Sequence, residues 1–499
     1  MSTTILRRRL IEIDAEIVEQ KTAFAQKLAA LDRDRADVQH KLDASTFAVV
    51  ILPVEITAEI FTLCLPSIEE LRANRYPLSH TWKTQAPMVF LAVCRAWRDI
   101  ALATPVLWTT LYIRLDMIHD EVAEKEGEVE AFIERWLQRA AARPLSLGFH
   151  ARRSEEDDFA DLPFVPSRLR DVIHRYAPRI EYLELELSQY DMGQLRLGST
   201  EFPLLRRAAL GYCFGPEPLD PVEVFTKAPR LHDLHLIHHG LLPYYSPPFQ
   251  QLTKFDGEIM GLELFTLAPN LIEARCSVEY ISPPQSSLIS HSRLQSLTLV
   301  NTFDGTGPCN ILEHLTLPAL QSLQMSEMDD TTSLAAFLSR SSPSLRTLSI
   351  RIDDDDFLDW GDCLSLVAET LENLEVVYPF PYVQSAILTC HIRNTWIRTP
   401  LPRLQTLTFQ TLSGIEHEKL ISFLDARTRL PELATFRSFR LVCPNGTFLD
   451  DAIDAPSSSD GESCKDIVKG HLANLAKSRG LDIDIGDNFR FRQNQNGQP

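Results

Sequence analysis

The sequence predicts an α/β protein: a long strand-and-helix repeat region, preceded by a small all-α module and a long N-terminal helix. Three observations predict it. Apolar residues recur every seven positions over residues 5–44, two short amphipathic helices, the second of them with Trp97, lie between residues 46 and 112, and an apolar core motif recurs over residues 176–445. The chain has 499 residues, 44% of them hydrophobic and 23% charged, which is typical of a globular protein with several domains.

The first 45 residues form the first predicted region. Residues 5–44 contain no Gly and no Pro, and one seam position of a seven-residue repeat holds Leu10, Ile17, Phe24, Leu31 and Val38. The second seam position is held in turn by Leu6, Ile13, Gln20, Lys27, Asp34 and Lys41. We predict one helix of about 40 residues that begins as a coiled coil. It either forms a homodimer through residues 5–44 or stays a solvated helix that packs on the next module or is partly disordered.

Residues 46–112 form the predicted helical module. Its first segment is Leu52-Pro53-Val54-Glu55-Ile56, where Pro53 suits the first turn of a helix. Its second segment is Val93-Cys94-Arg95-Ala96-Trp97-Arg98, and its third is Pro105-Val106-Leu107-Trp108. Apolar residues at helical spacing follow the first segment and flank the second, so both segments predict short amphipathic helices.

These three ordered pieces resemble the F-box, a helical module that docks a substrate receptor onto a ubiquitin ligase, in the form common in mushroom-forming fungi. The resemblance implies a Skp-family adaptor bound to the module and a cullin–RING ligase assembled behind it. It assigns adaptor contacts to Leu52, Pro53, Ile56 and Ile60. It assigns the core of the module to Val93, Trp97 and Trp108. The alternative is a plain small helical domain in which all of these are core residues.

Residues 113–175 are predicted to link the module to the repeats. A helix is expected over residues 117–142, with Val129, Phe132, Ile133 and Trp136 on one side, and an acidic loop follows it. Acidic or polar runs at residues 155–158, 353–356 and 457–462 indicate solvated loops, since none has the spacing of a calcium-binding loop.

The repeat region has a core of the form apolar-x-x-apolar-x-apolar. Copies begin at residues 180, 205, 231, 252, 271, 294, 320, 345, 371, 404 and 433. Most intervals fall in or near the window of 20–29 residues, and the core resembles that of leucine-rich repeats. We predict a leucine-rich-repeat-like solenoid over residues 176–445, and the alternative is an ordinary α/β domain. Residues 446–499 are predicted to be partly disordered, above all from Asn488.

The side chains between the repeat leucines are predicted to point outward on the sheet and to form a substrate-binding face. The candidate residues are Tyr182, Asp233, His235, Arg275, Thr298, Gln324, Ser349, Arg351, Glu375 and Thr408. Small polar groups predominate in the middle and charged groups at the ends, which suits a protein or peptide. The alternative is a face that is merely solvated.

Charge and cysteine content limit the classes of ligand and the cellular compartment that we expect. Lys plus Arg number 49 and Asp plus Glu number 68, so the net charge of −19 argues against nucleic acid as a ligand. Nine scattered cysteines without a C-x-x-C motif indicate a reducing compartment, the cytoplasm or nucleus, rather than disulfides or a zinc site. Neither a signal peptide nor a membrane span is expected.

No catalytic or cofactor motif is present in the sequence. The histidine cluster at residues 232, 235, 238 and 239 is interpreted as surface and loop histidines rather than a metal site. We therefore predict no catalytic residue, no cofactor, no metal and no enzymatic activity.

The leading hypothesis is an F-box substrate receptor whose repeats hold a protein substrate that the sequence does not identify. The alternative is an interaction scaffold, outside any ligase, that dimerises through its N-terminal helix. A third hypothesis, a hydrolase in the acidic loops, has no motif in its favour.

Overall fold

The structure is a computed structural model of the chain. It describes residues 3–45, 52–73, 86–114, 128–150, 169–187, 189–212, 221–237, 244–278, 288–301, 309–326, 331–351, 360–377, 381–389, 401–410, 415–429, 436–442, 453–454, 470–477, 480–485 and 489–491. The predicted acidic loops at residues 155–158, 353–356 and 457–462 lie outside the described residues, as do His238 and His239.

The chain divides into two compact units. A helical unit comprises Met1–Thr109 and Leu137–Ala141, and a sheet unit comprises Thr110–Trp136 and Ala142–Pro499. Each unit has its own core.

Within its described residues, the helical unit contains five helices and one 3₁₀ turn. They are α1 (Thr3–Ser45), α2 (Val54–Leu63), α3 (Ile68–Ala73), α4 (Met88–Val93), α5 (Arg95–Ala103) and the 3₁₀ turn Pro105–Trp108. The long N-terminal helix is confirmed, with 43 residues. Residues 3–39 are all exposed, so this stretch of α1 does not pack on the short helices.

Fifteen strands form the sheet of the second unit. They are β1 (Thr110–Arg114), β2 (Leu145–His150), β3 (Ile180–Leu187), β4 (Arg207–Tyr212), β5 (Asp233–Ile237), β6 (Lys254–Ile259), β7 (Glu273–Val278), β8 (Ser296–Asn301), β9 (Ser322–Met325), β10 (Thr347–Arg351), β11 (Asn373–Val377), β12 (Thr406–Gln410), β13 (Ser438–Val442), β14 (Asp482–Ile485) and β15 (Phe489–Phe491). Neighbours in sequence are neighbours in the sheet throughout. Every pairing is parallel except β14 with β15, which confirms an α/β fold with a large, mostly parallel sheet.

Short helices connect many of these strands. They are α6 (Glu128–Arg139), α7 (Leu169–Tyr176), α8 (Gln189–Leu195), α9 (Glu263–Leu267), α10 (Cys309–His314), α11 (Thr331–Ser341), α12 (Trp360–Val367), α13 (Pro381–Leu388) and α14 (His417–Arg429). Two-residue strands pair on three further connections: Val222–Glu223 with Tyr245–Ser246, Ile289–Ser290 with Leu315–Thr316, and Ile415–Glu416 with Ile453–Asp454. No helix in the described ranges combines the length and apolarity that a membrane crossing requires.

The strand register aligns the repeat leucines. Leu297, Leu323, Leu348, Leu374 and Leu407 are opposite one another on successive strands, and each is at most 2% exposed. The repeat spacing therefore stacks one leucine of each copy on the next, so that neighbouring copies bury a shared core.

The strand positions differ from the prediction at both ends of the repeat region. β1 begins in the predicted helical module and β2 lies in the predicted linker, so the sheet begins at Thr110. The linker helix α6 is described from Glu128 to Arg139, and residues 117–127 of the predicted helix lie outside the described residues. The copy expected at residue 433 is wrong by three residues, because Phe436, Phe439 and Leu441 supply its buried positions. β14 and β15 lie in the segment predicted to be partly disordered, where β14 pairs with β13 and β15 pairs with β14.

Candidate binding surfaces

Helix α2 has two distinct faces. Thr57 and Phe61, four residues apart, are each 1% exposed and form its buried face. Ile56, Ile60 and Leu63, at intervals of four and three residues, share another face and are 50%, 38% and 78% exposed. An aliphatic row of this kind on a helix is a surface to which another protein can bind.

Aromatic rings build the core beneath α2. The Phe61 and Phe90 rings stack with their centroids 4.0 Å apart, and the half-buried Trp97 ring meets Phe61 edge-on at 4.9 Å. Trp108 is fully buried, and its indole N–H donates to the Ala101 carbonyl at 2.8 Å. These contacts fix α2 by its buried face and leave the aliphatic row outside the core.

Hydrogen bonds explain the local geometry of the Val93–Arg98 segment. The Cys94 sulfur accepts from the Trp97 backbone N–H at 3.5 Å and caps α5. The Arg98 side chain donates from Nε to the Leu91 carbonyl at 2.9 Å and ties α5 to α4. Val93 ends α4 at this junction and is 54% exposed, so its predicted place in the core is wrong.

Leu52 and Pro53, the remaining predicted adaptor contacts, are exposed beside the first turn of α2. The Pro53 carbonyl accepts from the Thr57 backbone N–H at 3.0 Å, so the helix starts where the sequence predicts. Val54, which the prediction omitted, is 56% exposed but lies on a different side of the helix from Ile56.

The face of the sheet between the repeat leucines is open over some strands and closed over others. Arg275, Gln324 and Arg351 are exposed there. Asp233, His235, Thr298, Glu375 and Thr408 are half-buried. Tyr182 and Ser349 are only 6% and 8% exposed, so the structure contradicts their prediction as open contact residues.

Charged side chains form a network across β5, β6 and β7. Asp256 lies 3.3 Å from His235 Nδ1 and 3.8 Å from Arg275 Nε, and Lys254 pairs with Glu273 at 3.0 Å. Such half-exposed pairs contribute little stability, but they fix the side chains of a polar surface. Burial raises the pKa of Asp233, an effect that the neighbouring Lys254 and Arg207 partly offset.

Hydrogen bonds cross β10, β11 and β12 in two rows. Thr406 donates to Asn373 Oδ1 at 2.6 Å, and Asn373 donates to Thr347 Oγ1 at 3.2 Å. Ser349 and Gln410 both donate to the Glu375 carboxylate, at 2.8 and 3.1 Å. Each row links three successive strands, and the hydroxyl of Ser349 is buried because it is used within the sheet.

The same face is closed and charged over β1, β2 and β3. His150 lies between two carboxylates, with Nδ1 2.6 Å from Glu186 and Nε2 3.2 Å from Glu184. The hydroxyls of Tyr112 and Tyr182 both donate to Glu184, which is completely buried. One imidazole and two phenols thus surround a pair of carboxylates, of which Glu184 is completely and Glu186 mostly buried.

Two glycines leave room for this cluster. A side chain at Gly148 would collide with the Tyr112 ring, and one at Gly211 would approach Glu186 Cγ to 2.9 Å. Both glycines occupy positions that point to the cluster face, opposite Tyr112 and Glu186 in the register. The absence of a Cβ is what admits the ring and the carboxylate.

The cluster favours a protonated His150. Burial lowers the pKa of His150, but the hydrogen bonds and charges of Glu184 and Glu186 together outweigh burial and raise it above the ordinary 6.5. The cluster residues Tyr112, His150 and Glu186 were missed at the level of sequence, where alternation marks their positions as solvent-facing. Tyr112 and Glu184 lie 72 positions apart, so no local pattern connects them.

Metal binding has no support in the described part of the chain. No group of three or more His, Cys, Asp or Glu side chains with the arrangement of a metal site occurs there. His232 is exposed and His235 faces Asp256, so these two members of the histidine cluster do not converge on one point. Cys64, Cys94, Cys276 and Cys363 form no disulfide.

Comparison with known proteins places no family on this chain. No family model matches it, and no curated protein matches it. Among solved structures, the crystal structure of the Rad7 and Elc1 complex in yeast is similar to it, with 12% sequence identity and a TM-score of 0.33. That match covers 79% of this chain and 96% of the other.

Proposed function

We propose that this chain is an F-box substrate receptor of a Skp–cullin–F-box ubiquitin ligase. The helical unit binds a Skp-family adaptor, and the leucine-rich-repeat-like sheet unit holds a protein substrate in the cytoplasm or nucleus. The observation that carries the proposal is the division of α2 into a face used by the aromatic core and an exposed aliphatic row. The receptor itself is not an enzyme, because ubiquitin transfer belongs to a separate protein of the ligase.

The adaptor contacts in this proposal are Leu52, Pro53, Ile56 and Ile60, and Leu63 extends the row by one turn. Burying one aliphatic side chain of this size in an interface contributes about 1.5–3 kcal/mol. Three such residues on one helix face are enough to make α2 the centre of the interface.

The substrate contacts in this proposal lie on the open part of the sheet face. Arg275, Gln324 and Arg351 are exposed there, with Thr298 and Thr408 half-buried between the leucine rows. A broad polar face with scattered charges suits a folded protein or an extended peptide better than an apolar small molecule. Tyr182 and Ser349 are excluded from this surface by their burial.

The test is co-purification of the full-length chain with a Skp-family adaptor, followed by a binding titration. Ile60→Asp is expected to weaken adaptor binding by about tenfold or more, because it places a charge in an apolar interface. Val54→Asp is the matched control, since it is an exposed β-branched residue on another side of the same helix. Equal affinity for Ile60→Asp and the unchanged chain would refute the adaptor interface.

The second candidate function is an interaction scaffold outside any ligase. The exposed apolar residues of α1 favour it, because they offer a way to join two copies of the repeat region. A chain that forms a dimer in light scattering but binds no Skp-family adaptor would support the scaffold against the receptor.

A further inference from the structure

Helix α1 carries a straight apolar stripe along nearly its whole length. The stripe consists of Leu6, Leu10, Ile13, Ile17, Phe24, Leu28, Leu31 and Val38, all between 42% and 69% exposed. At 3.6 residues per turn these side chains fall within about 80° of the helix circumference. A helix that exposes so much aliphatic and aromatic surface on one side has a partner surface to bury it against.

The stripe has a longer period than a heptad. Leu6, Leu10 and Ile13 recur eighteen residues later as Phe24, Leu28 and Leu31, and eighteen residues are five turns of a straight α-helix. The apparent loss of one heptad seam after Ile17 is therefore a shift of that seam by one residue. Arg35, eighteen residues after Ile17, interrupts the shifted stripe between Leu31 and Val38. Such a shift locally unwinds a supercoil and lets two nearly straight helices stay in contact.

Charges of alternating sign follow both edges of the stripe. One edge carries Arg9, Glu16, Lys27, Asp34 and Lys41. The other edge carries Arg7, Asp14, Lys21 and Asp32. A stripe flanked on each side by both positive and negative side chains suits a partner whose charges alternate in the complementary way. A second copy of the same helix has that alternation.

The alternation also selects an orientation. When two copies run parallel and in register, each residue of the first edge lies near the residue five positions further along the second edge of the other copy. The resulting opposite-charge pairs are Arg9 with Asp14, Glu16 with Lys21, and Lys27 with Asp32. An antiparallel pair that keeps the stripes in contact joins Arg9 with Asp34 and Glu16 with Lys27 along the first edge. Along the second edge it brings Asp14 towards Asp32 and Lys21 towards Lys21, so only the parallel pair has opposite charges facing each other along both edges.

We propose that α1 binds a second copy of this chain as a parallel, in-register helix pair along this stripe. In this pair Gln20 and Arg35 each meet their own counterpart. A polar residue at a seam position fixes register at some cost in stability. The proposal deepens the dimeric part of the scaffold hypothesis, but it is independent of adaptor binding by α2.

The first test is the solution mass of the full-length chain by light scattering. We expect twice the chain mass of 56.6 kDa. Ile17→Glu with Leu28→Glu is expected to give the monomer, because it buries two charges in the seam. Ala15→Glu with Ala29→Glu is the matched control on the opposite side of α1 and is expected to stay dimeric. A monomeric unchanged chain, or a dimeric stripe variant, would overturn the proposal.

The second test addresses the orientation. Glu16→Lys alone is expected to weaken the dimer by about fivefold, because it places two lysines opposite each other at both symmetric sites. Glu16→Lys with Lys21→Glu is expected to restore the affinity in a parallel pair. Restoration by Glu16→Lys with Lys27→Glu instead would show an antiparallel pair and overturn the register.

Adaptor binding separates the two proposals. The Ile17→Glu, Leu28→Glu variant is expected to bind the Skp-family adaptor as the unchanged chain does, and Ile60→Asp is expected to remain dimeric. If both variants lose both properties, the helical unit has unfolded. Loss of helical circular dichroism and of Trp108 burial, followed by fluorescence, identifies that case.

Discussion

The sheet face between the repeat leucines has two chemically different regions. Over β1–β3 it is closed, and two carboxylates share one imidazole and two phenol hydroxyls. Over β10–β12 it is half-open, and neutral hydroxyls and amides bond across the strands in two rows, one of which includes a half-buried carboxylate. The same alternation of sequence thus gives a buried charged cluster in one region and a solvated surface in the other, and cross-strand partners decide which.

Removal of a carboxylate is the sharpest way to test this difference. Glu184→Ala is expected to destabilise the sheet unit by about 3–5 kcal/mol, because it removes a buried carboxylate that pairs with His150 and accepts from Tyr112 and Tyr182. Glu375→Ala, the corresponding change in the half-open region, is expected to cost about 1 kcal/mol. Thermal unfolding of the two variants measures the gap, and equal losses would contradict the comparison.

A methyl group tests the packing of the closed region. Gly148→Ala is expected to destabilise the chain by about 1–3 kcal/mol, because the new Cβ displaces the Tyr112 ring from its bond to Glu184. Gly193→Ala is the control, since no atom lies near its Cβ position in α8 and it is expected to stabilise the chain by about 0.5–1 kcal/mol. Similar unfolding midpoints for both variants would rule out close packing at Gly148.

A change in pH tests the charge of the closed region. The pKa of His150 is higher in the folded chain than its ordinary value, so protonated His150 stabilises the folded chain. This contribution to the free energy of unfolding is complete below about pH 6.5 and is lost as pH rises through the raised pKa. The effect is smaller than that of Glu184→Ala because only a proton is removed. The unfolding midpoint between pH 6 and 9 measures it, and the slope should flatten in His150→Gln.

The smallest effect is expected in the half-open region. Ser349→Ala removes one hydrogen bond to Glu375, whose other oxygen still accepts from Gln410, and is expected to cost about 0.5–1.5 kcal/mol. Hydrogen exchange at β10 and β11 provides the measurement. A loss as large as that from Glu184→Ala would show that the two regions do not differ.

The sequence predicted the sheet well because its information is local. Each apolar core motif specifies one buried strand, and equal spacing aligns leucines such as Leu297 and Leu323 without any long-range signal. It predicted the closed region poorly, since burial of Glu184 depends on Tyr112, on the absence of a side chain at Gly148, and on pairing of strands from distant segments. The exposure of Val93 was missed for a related reason: helical spacing gives the face of a helix but not where the neighbouring helix ends.

The order of the strands has an evolutionary consequence. Each strand from β2 to β13 bonds to the strand before it in sequence and to the strand after it, so a segment of chain is anchored only to its immediate neighbours. Duplication or deletion of one complete segment leaves the remaining contacts intact. During evolution the protein can therefore gain or lose whole segments. One inserted strand can add new side chains to the sheet face without altering the rest.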